Sequence, residues 1–141
     1  MARAAAVAGV QPAVLEPIQV VRYLPGQSFD VHVDAWPQSQ AYAMGGNRNL
    51  TLFVYLSETP EEETGGSTVF PDLGLRLRPR LGSAVLWANL AASGEFDPRM
   101  KHIGEAPTLS TKFGLNVWLW DREIPQDGSR PQPLQQPKSE L

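Results

Sequence analysis

The chain has no cysteine. That excludes a disulfide framework, a thiolate zinc site and a cysteine nucleophile, and it fits a reducing compartment. Basic charge is also in short supply. The formal net charge is −3 over 141 residues, which offers nucleic acid no attractive field, so nucleic acid is not expected as a partner. No run approaches the ~20 apolar residues of a membrane span. The opening MARAAAVAGV is Ala-rich but lacks the apolar core of a signal peptide. A soluble chain with neither signal peptide nor transmembrane segment is expected, with the compartment open. Histidine is the scarcest ligand type, with two copies, His32 and His102. Any metal site must be built from these and from Asp or Glu.

Hydrophobic residues make up 42% of the chain, enough for one domain with a core of its own. The first residues read as a short helix stopped by Gly9. From Ile18 to Asp121 short strands alternate with turn residues. Strands are predicted over 18–24, 28–36, 49–57, 67–70, 75–79, 83–88, around His102, and over 111–121. Pro25-Gly26 suits the centre of a type II turn. Residues 37–47 read as a loop, and 58–66 as an acidic turn. About eight strands with one short leading helix make a mainly β fold, a sandwich or jelly-roll. Residues 1–124 form the expected domain. Residues 125–141, with Pro125, Pro131, Pro133 and Pro137 and little to bury, form a Pro/Gln-rich tail expected to be disordered.

Two strands carry chemistry on one face. In FDVHVDAW, residues 29–36, polar and apolar residues alternate. His32 therefore shares a face with both Asp30 and Asp34, while Val31 and Val33 should pack on the other side. With His102 from a distant strand, the inventory becomes two imidazoles and one carboxylate. That donor set leaves coordination positions open, as in non-haem Fe(II) oxygenases. The period does not choose between Asp30 and Asp34. In the last strand, Phe113, Leu115, Val117 and Leu119 form an aliphatic face that should pack into protein. Lys112, Gly114, Asn116, Trp118 and Trp120 form the other, which suits a pocket wall. A lysine in such a wall requires an anion.

These pieces, in order, resemble the prolyl 4-hydroxylase branch of the Fe(II)- and 2-oxoglutarate-dependent dioxygenases. The matching stretches are EPIQVVRYLPGQ (16–27), HVD (32–34), RNLTLFVYL (48–56), GGSTVFP (65–71), LRPRLGSAVLW (77–87), DPRMKHIG (97–104) and Lys112-Phe113 with Trp118. The resemblance implies a double-stranded β-helix (jelly-roll) core and iron held by His32, Asp34 and His102, with Asp30 a bystander. It implies that Lys112, Tyr23 and Thr51 bind the distal carboxylate of 2-oxoglutarate, and that Trp118 lines the wall near the substrate. Arg48 and the Gly65-Gly66 pair are read as structural.

The implied reaction consumes 2-oxoglutarate and O2 and hydroxylates a substrate C–H bond, releasing succinate and CO2. By the same resemblance the substrate is a prolyl residue in a peptide or protein, and L-ascorbate keeps the iron reduced. Residues 37–47 are the candidate lid. Three departures stand out: Phe29 where a tyrosine is usual, Ser67 where a glutamate is usual, and GEAPTLST after His102. The family's domains also carry further N-terminal helices and strands, so this core is expected to be N-terminally short. The second reading is accordingly a truncated member that binds on the same jelly-roll without turnover. A His2Asp zinc hydrolase could use the same ligands, but it has no use for Lys112 and no identifiable general base.

Overall fold

The computed structural model describes residues 1–124; the expected tail at 125–141 lies outside the described residues. Ten elements follow in order: α1 (Ala2–Ala8), β1 (Gln19–Tyr23), β2 (Phe29–His32), α2 (Gln38–Ala43), β3 (Arg48–Tyr55), β4 (Thr68–Phe70), β5 (Leu75–Leu77), β6 (Ala84–Ala88), β7 (His102–Gly104) and β8 (Lys112–Trp120). They build two antiparallel four-stranded sheets, ordered β1-β8-β3-β6 and β2-β7-β4-β5. This is a jelly-roll. Among the described residues no helix is long and apolar enough to cross a membrane.

The alternation of β3 and β8 explains how the first sheet divides the molecule. Leu50, Leu52 and Val54 pair with Leu119, Val117 and Leu115, so all six project from the same face. α1 covers part of that face: Ala5 and Leu15 join Leu52, Val117 and Leu119 in one buried cluster. The helix stops where expected, with Gly9 at φ 69° and the Val10 amide donating back to the Ala5 carbonyl. On the opposite face Phe53 and Tyr55 form a second core with Phe70 and Trp87. Gly114 leaves no void there, because a Cβ at that position would lie 2.3 Å from the Phe53 ring.

Several expectations change. Residues 37–47 are not wholly a loop, since Gln38–Ala43 forms α2. The Pro37 carbonyl accepts from the Gln40 and Ala41 amides, and Gly45 and Gly46, both at positive φ, end the turn. β2 runs only to His32. It is an edge strand, and no described element packs over its outer face, so Val31 is 57% exposed rather than packed. Phe113, expected on the packed face of β8, is likewise 38% exposed.

The acidic turn has one buried member. The Glu63 carboxylate accepts from the amides of Gly65, Thr108, Leu109 and Ser110 and from the Thr108 and Ser110 hydroxyls. Desolvation alone would raise its pKa. The hydrogen bonds from Thr108, Leu109 and Gly65 outweigh that and hold it well below the usual carboxylate range. The clamp brings residues 63–66 against 106–110, where Gly65 is obligatory: a Cβ would sit 2.0 Å from the Ala106 carbonyl oxygen. Because the folded pKa is depressed, the stabilisation is present above the unfolded value of ~4.3 and is lost as pH falls through the folded one. Glu63→Gln should lower the urea midpoint at neutral pH and flatten its decline in acid. Urea titrations at neutral and acidic pH check both effects.

Candidate metal centre

His32 is the last residue of β2 and His102 the first of β7, and the two are direct cross-strand partners. Their ring centroids lie 4.2 Å apart. Each ring is held by a backbone carbonyl two residues earlier: His32 Nδ1 meets the Asp30 carbonyl within β2 at 2.7 Å, and His102 Nδ1 meets the Met100 carbonyl, in the turn before β7, at 2.9 Å. A carbonyl only accepts, so each Nδ1 carries a proton, and in the neutral imidazole this leaves Nε2 with the lone pair. Asp34 follows just beyond the end of β2. Its Oδ1 is 3.8 Å from His32 Nε2 and its Oδ2 is 3.7 Å from His102 Nε2. Those separations exceed a hydrogen bond.

One ligand atom from each of the three residues lies within 4.8 Å of the others, the one such group among the described residues. Asp34 and His102 are buried and His32 is partly so. Burial, and then the neighbouring His102, lowers the His32 pKa, which favours the neutral imidazole a metal requires. Phe70 and Trp87 flank the His102 ring and Phe29 meets the His32 ring edge-on. Asp30 is exposed and lends only its backbone carbonyl. The end of the strand thus separates the two aspartates that the sequence period left equivalent. Two nitrogens and one carboxylate oxygen converging with positions to spare fit Fe(II).

The second half of the site surrounds Lys112, which is 1% exposed. Its Nζ lies 5.2, 5.6 and 5.9 Å from the ring centroids of Tyr23, Phe53 and Tyr55. Its hydrogen-bond partner is the Ser67 carbonyl at 3.5 Å, and it makes no ion pair among the described residues. Burial lowers its pKa to about 8, against a smaller opposing pull from the Glu105 charge. The Ser67 hydroxyl nearby is buried without a partner. An underpaired ammonium and an orphaned hydroxyl together suit an anionic ligand such as a carboxylate.

Tyr23 stands over this ammonium. Its pKa is raised by burial and by the Asp34 charge. Its hydroxyl lies 3.1 Å from where a Cβ on Gly104 would stand, so the glycine makes its room. Thr51 goes elsewhere. Its hydroxyl donates to Asp34 Oδ2 at 2.6 Å and accepts from Asn89 Nδ2 at 2.8 Å. The expectation placed Thr51 with Lys112 and Tyr23 on one carboxylate; in this structure its hydroxyl is bonded to the triad. In β3 the hydroxyl residue beside Lys112 is Tyr55, whose OH donates to Thr68 at 2.8 Å. Sequence reasoning gave no site role to Tyr55 or Asn89, and it noted Ser67 only as a departure from the family pattern. Tyr55 stood in the RNLTLFVYL stretch as a signal, but nothing marked Asn89.

Trp118 is partly buried, with its ring 3.6 Å from the Arg48 guanidinium carbon. Arg48 also lies over Trp36 at 4.7 Å and grips Glu16 through two hydrogen bonds of 2.7 and 2.9 Å. The same carboxylate accepts from Trp120 Nε1 at 2.5 Å.

Residues 18–120 match the family model described as the 2OG-Fe(II) oxygenase superfamily. The chain belongs to this superfamily. Among curated relatives, the chain is 35% identical over 118 residues to prolyl 4-hydroxylase subunit alpha-2 of Gallus gallus, covering 82% of this chain and 22% of that protein. It is 34% identical over 118 residues to prolyl 4-hydroxylase subunit alpha-1 of Homo sapiens, covering 81% and 22%. The chain thus spans about a fifth of the length of these relatives. Among solved structures, viral collagen prolyl hydroxylase vCPH from Paramecium Bursaria Chlorella virus-1, in its 2OG complex, matches with TM-score 0.68 and 29% identity over 75% of this chain and 58% of that one. A Pseudomonas putida prolyl-4-hydroxylase shares the fold, with TM-score 0.55 and 23% identity over 78% and 56%.

The buried lysine of this oxygenase core gives a signed expectation. Below pH 8 it is charged in both folded and unfolded states and the desolvation penalty is complete. Between that pH and its unfolded value of ~10.4 the folded state sheds the proton first, so stability rises with pH. The wild type should therefore gain on Lys112→Met as pH rises through that window. Paired urea midpoints at neutral and alkaline pH, without ligand, measure the difference.

Proposed function

We propose that the chain is the catalytic core of an Fe(II)- and 2-oxoglutarate-dependent dioxygenase that hydroxylates a prolyl residue in a peptide or protein. The observation that carries this reading is the conjunction of two half-sites in one barrel. Two imidazoles with free Nε2 atoms and one carboxylate converge at one place. A buried ammonium without an ion-pair partner among the described residues forms the other. A zinc hydrolase would use the first and have no need of the second.

In this reading His32, Asp34 and His102 hold the iron. Lys112 pairs with the distal carboxylate of 2-oxoglutarate, with the Tyr23 hydroxyl and the unpaired Ser67 hydroxyl as neutral donors. Bound iron supplies the activation of O2 that couples decarboxylation of the keto acid, to succinate and CO2, to insertion of one oxygen atom into the substrate C–H bond. The protein's own part is orientation and exclusion of water. Aromatic rings at Phe29, Phe70 and Trp87 shield the imidazoles, and Trp118 forms the wall beside the substrate. L-Ascorbate serves as the reductant that returns the iron to Fe(II).

The prolyl substrate class is supported by the names of the relatives, which are prolyl 4-hydroxylases. Phe29 supplies no hydroxyl at the position where that branch often has a tyrosine, so peptide contacts near His32 are apolar here. α2 and the turn after it, next to Trp36, are the candidate lid over a bound peptide.

The test is anaerobic. Fe(II) and 2-oxoglutarate added together should produce the metal-to-ligand charge-transfer band of the chelate, and admission of air should then yield succinate. Absence of the band would overturn the metal centre. A band without succinate, with a prolyl peptide present, would leave a binding module instead. Asp34→Ala should abolish the band and Asp30→Ala should leave it; the reverse would reassign the carboxylate.

A further inference from the structure

We propose that Thr51 and Asn89 form a hydrogen-bond relay that reserves one oxygen of Asp34, so that the carboxylate meets its metal through the other oxygen alone. This rests on the reading of His32, Asp34 and His102 as a metal centre. The relay has one permitted polarity. An ionised carboxylate only accepts, so the Thr51 hydrogen must point to Asp34 Oδ2, at 2.6 Å. The Thr51 oxygen is then left as an acceptor, and Asn89 must offer it an N–H, at 2.8 Å. Were the Asn89 amide turned round, its oxygen would take the threonine proton away from Asp34. Its Oδ1 is instead buried with no partner of its own. An uncompensated buried carbonyl is a cost, and it is the cost of keeping Nδ2 aimed at Thr51.

All three groups are shielded from water, with Thr51 at 0% exposure, so solvent cannot substitute for the missing bonds. The backbone fixes both ends. Thr51 sits in the middle of β3, paired on its two sides with Trp87 and Trp118. Asn89 is pinned just past β6 by backbone hydrogen bonds: its amide donates to the Asn49 carbonyl at 2.7 Å, and its carbonyl accepts from the Asp97 amide at 2.8 Å.

The consequence is a coordination number. Asp34 Oδ1, on the His32 side, is the oxygen left free. A metal taking that atom and two imidazoles keeps three of six octahedral positions open, whereas a chelating carboxylate would leave two. A keto acid that binds through two atoms, together with O2, needs three. Thr51 and Asn89 are positioning residues in this account, because neither touches the metal.

The experiment titrates the full chain anaerobically with Mn(II), followed by electron paramagnetic resonance, and records the Fe(II)–2-oxoglutarate charge-transfer band. Thr51→Val should weaken Mn(II) binding by about 10-fold or more, within the range for lost outer-shell partners, and should shift the band. Thr51→Ser should restore both. Asn89→Leu should move both readouts in the same direction by a smaller amount, and it decides the matter if Thr51→Val shows no cooperative thermal transition. Wild-type affinity and an unshifted band in the folded Thr51→Val variant, or in Asn89→Leu, would overturn the relay alone. A wild-type chain that binds no Mn(II) and gives no band would overturn the metal centre and the relay together.

Discussion

The β2–β7 register places His32 opposite His102, and the rest of the site is arranged around that pairing. A slip of one residue in either strand would turn one imidazole to the opposite face. The pair lies at the end of the smaller sheet, where β2 stops and the chain bends away to Asp34. From there the carboxylate reaches Thr51 in the larger sheet. The triad therefore bridges the two sheets, and the jelly-roll brings together ligands seventy residues apart in the chain (102 − 32).

The site is made of polar groups withdrawn from water, and each is handled differently. The imidazoles are held by backbone carbonyls two residues earlier in the chain, so their tautomers are set before any ligand arrives. Asp34 is held on one side only. Lys112 is left short of partners, a local instability that a bound dianion would relieve. Glu63 shows the contrasting solution of a buried charge with every acceptor position used. That contrast separates scaffold from function: the saturated carboxylate fastens two turns, and the underpaired ammonium awaits something from outside.

Much of this was legible in the residues. The period-two pattern identified β3 and β8 and their faces, and the strand-turn rhythm gave eight strands. His32 and Asp34 shared a face by spacing, but the choice between Asp30 and Asp34 depended on where β2 ends. That in turn depends on pairing: β2 is an edge strand, and its register against β7 shifts between Phe29 and His32. Val31 shows the same limit, since alternation tells which residues share a side and not whether anything covers it. Thr51 was singled out, but its contact with Asp34 is a tertiary one that strand spacing does not show. Asn89 gave no local signal because its role exists only through contact with Thr51. α2 was hidden by Pro37, Ser39 and the Gly45-Gly46 pair; the proline and the glycines here serve as its boundaries, and Ser39 lies within it.

The Arg48–Glu16 pair at the barrel rim has an implication for how the molecule meets its surroundings. Both side chains are mostly withdrawn from solvent, at 12% and 11% exposure, and the guanidinium lies against Trp36 and Trp118. Mobile ions therefore have little access to the pair, and its strength should change little between dilute buffer and brine. The stack of Arg48 on Trp36 and Trp118 keeps its arrangement across ionic conditions, while more exposed pairs such as Arg122–Asp121 loosen.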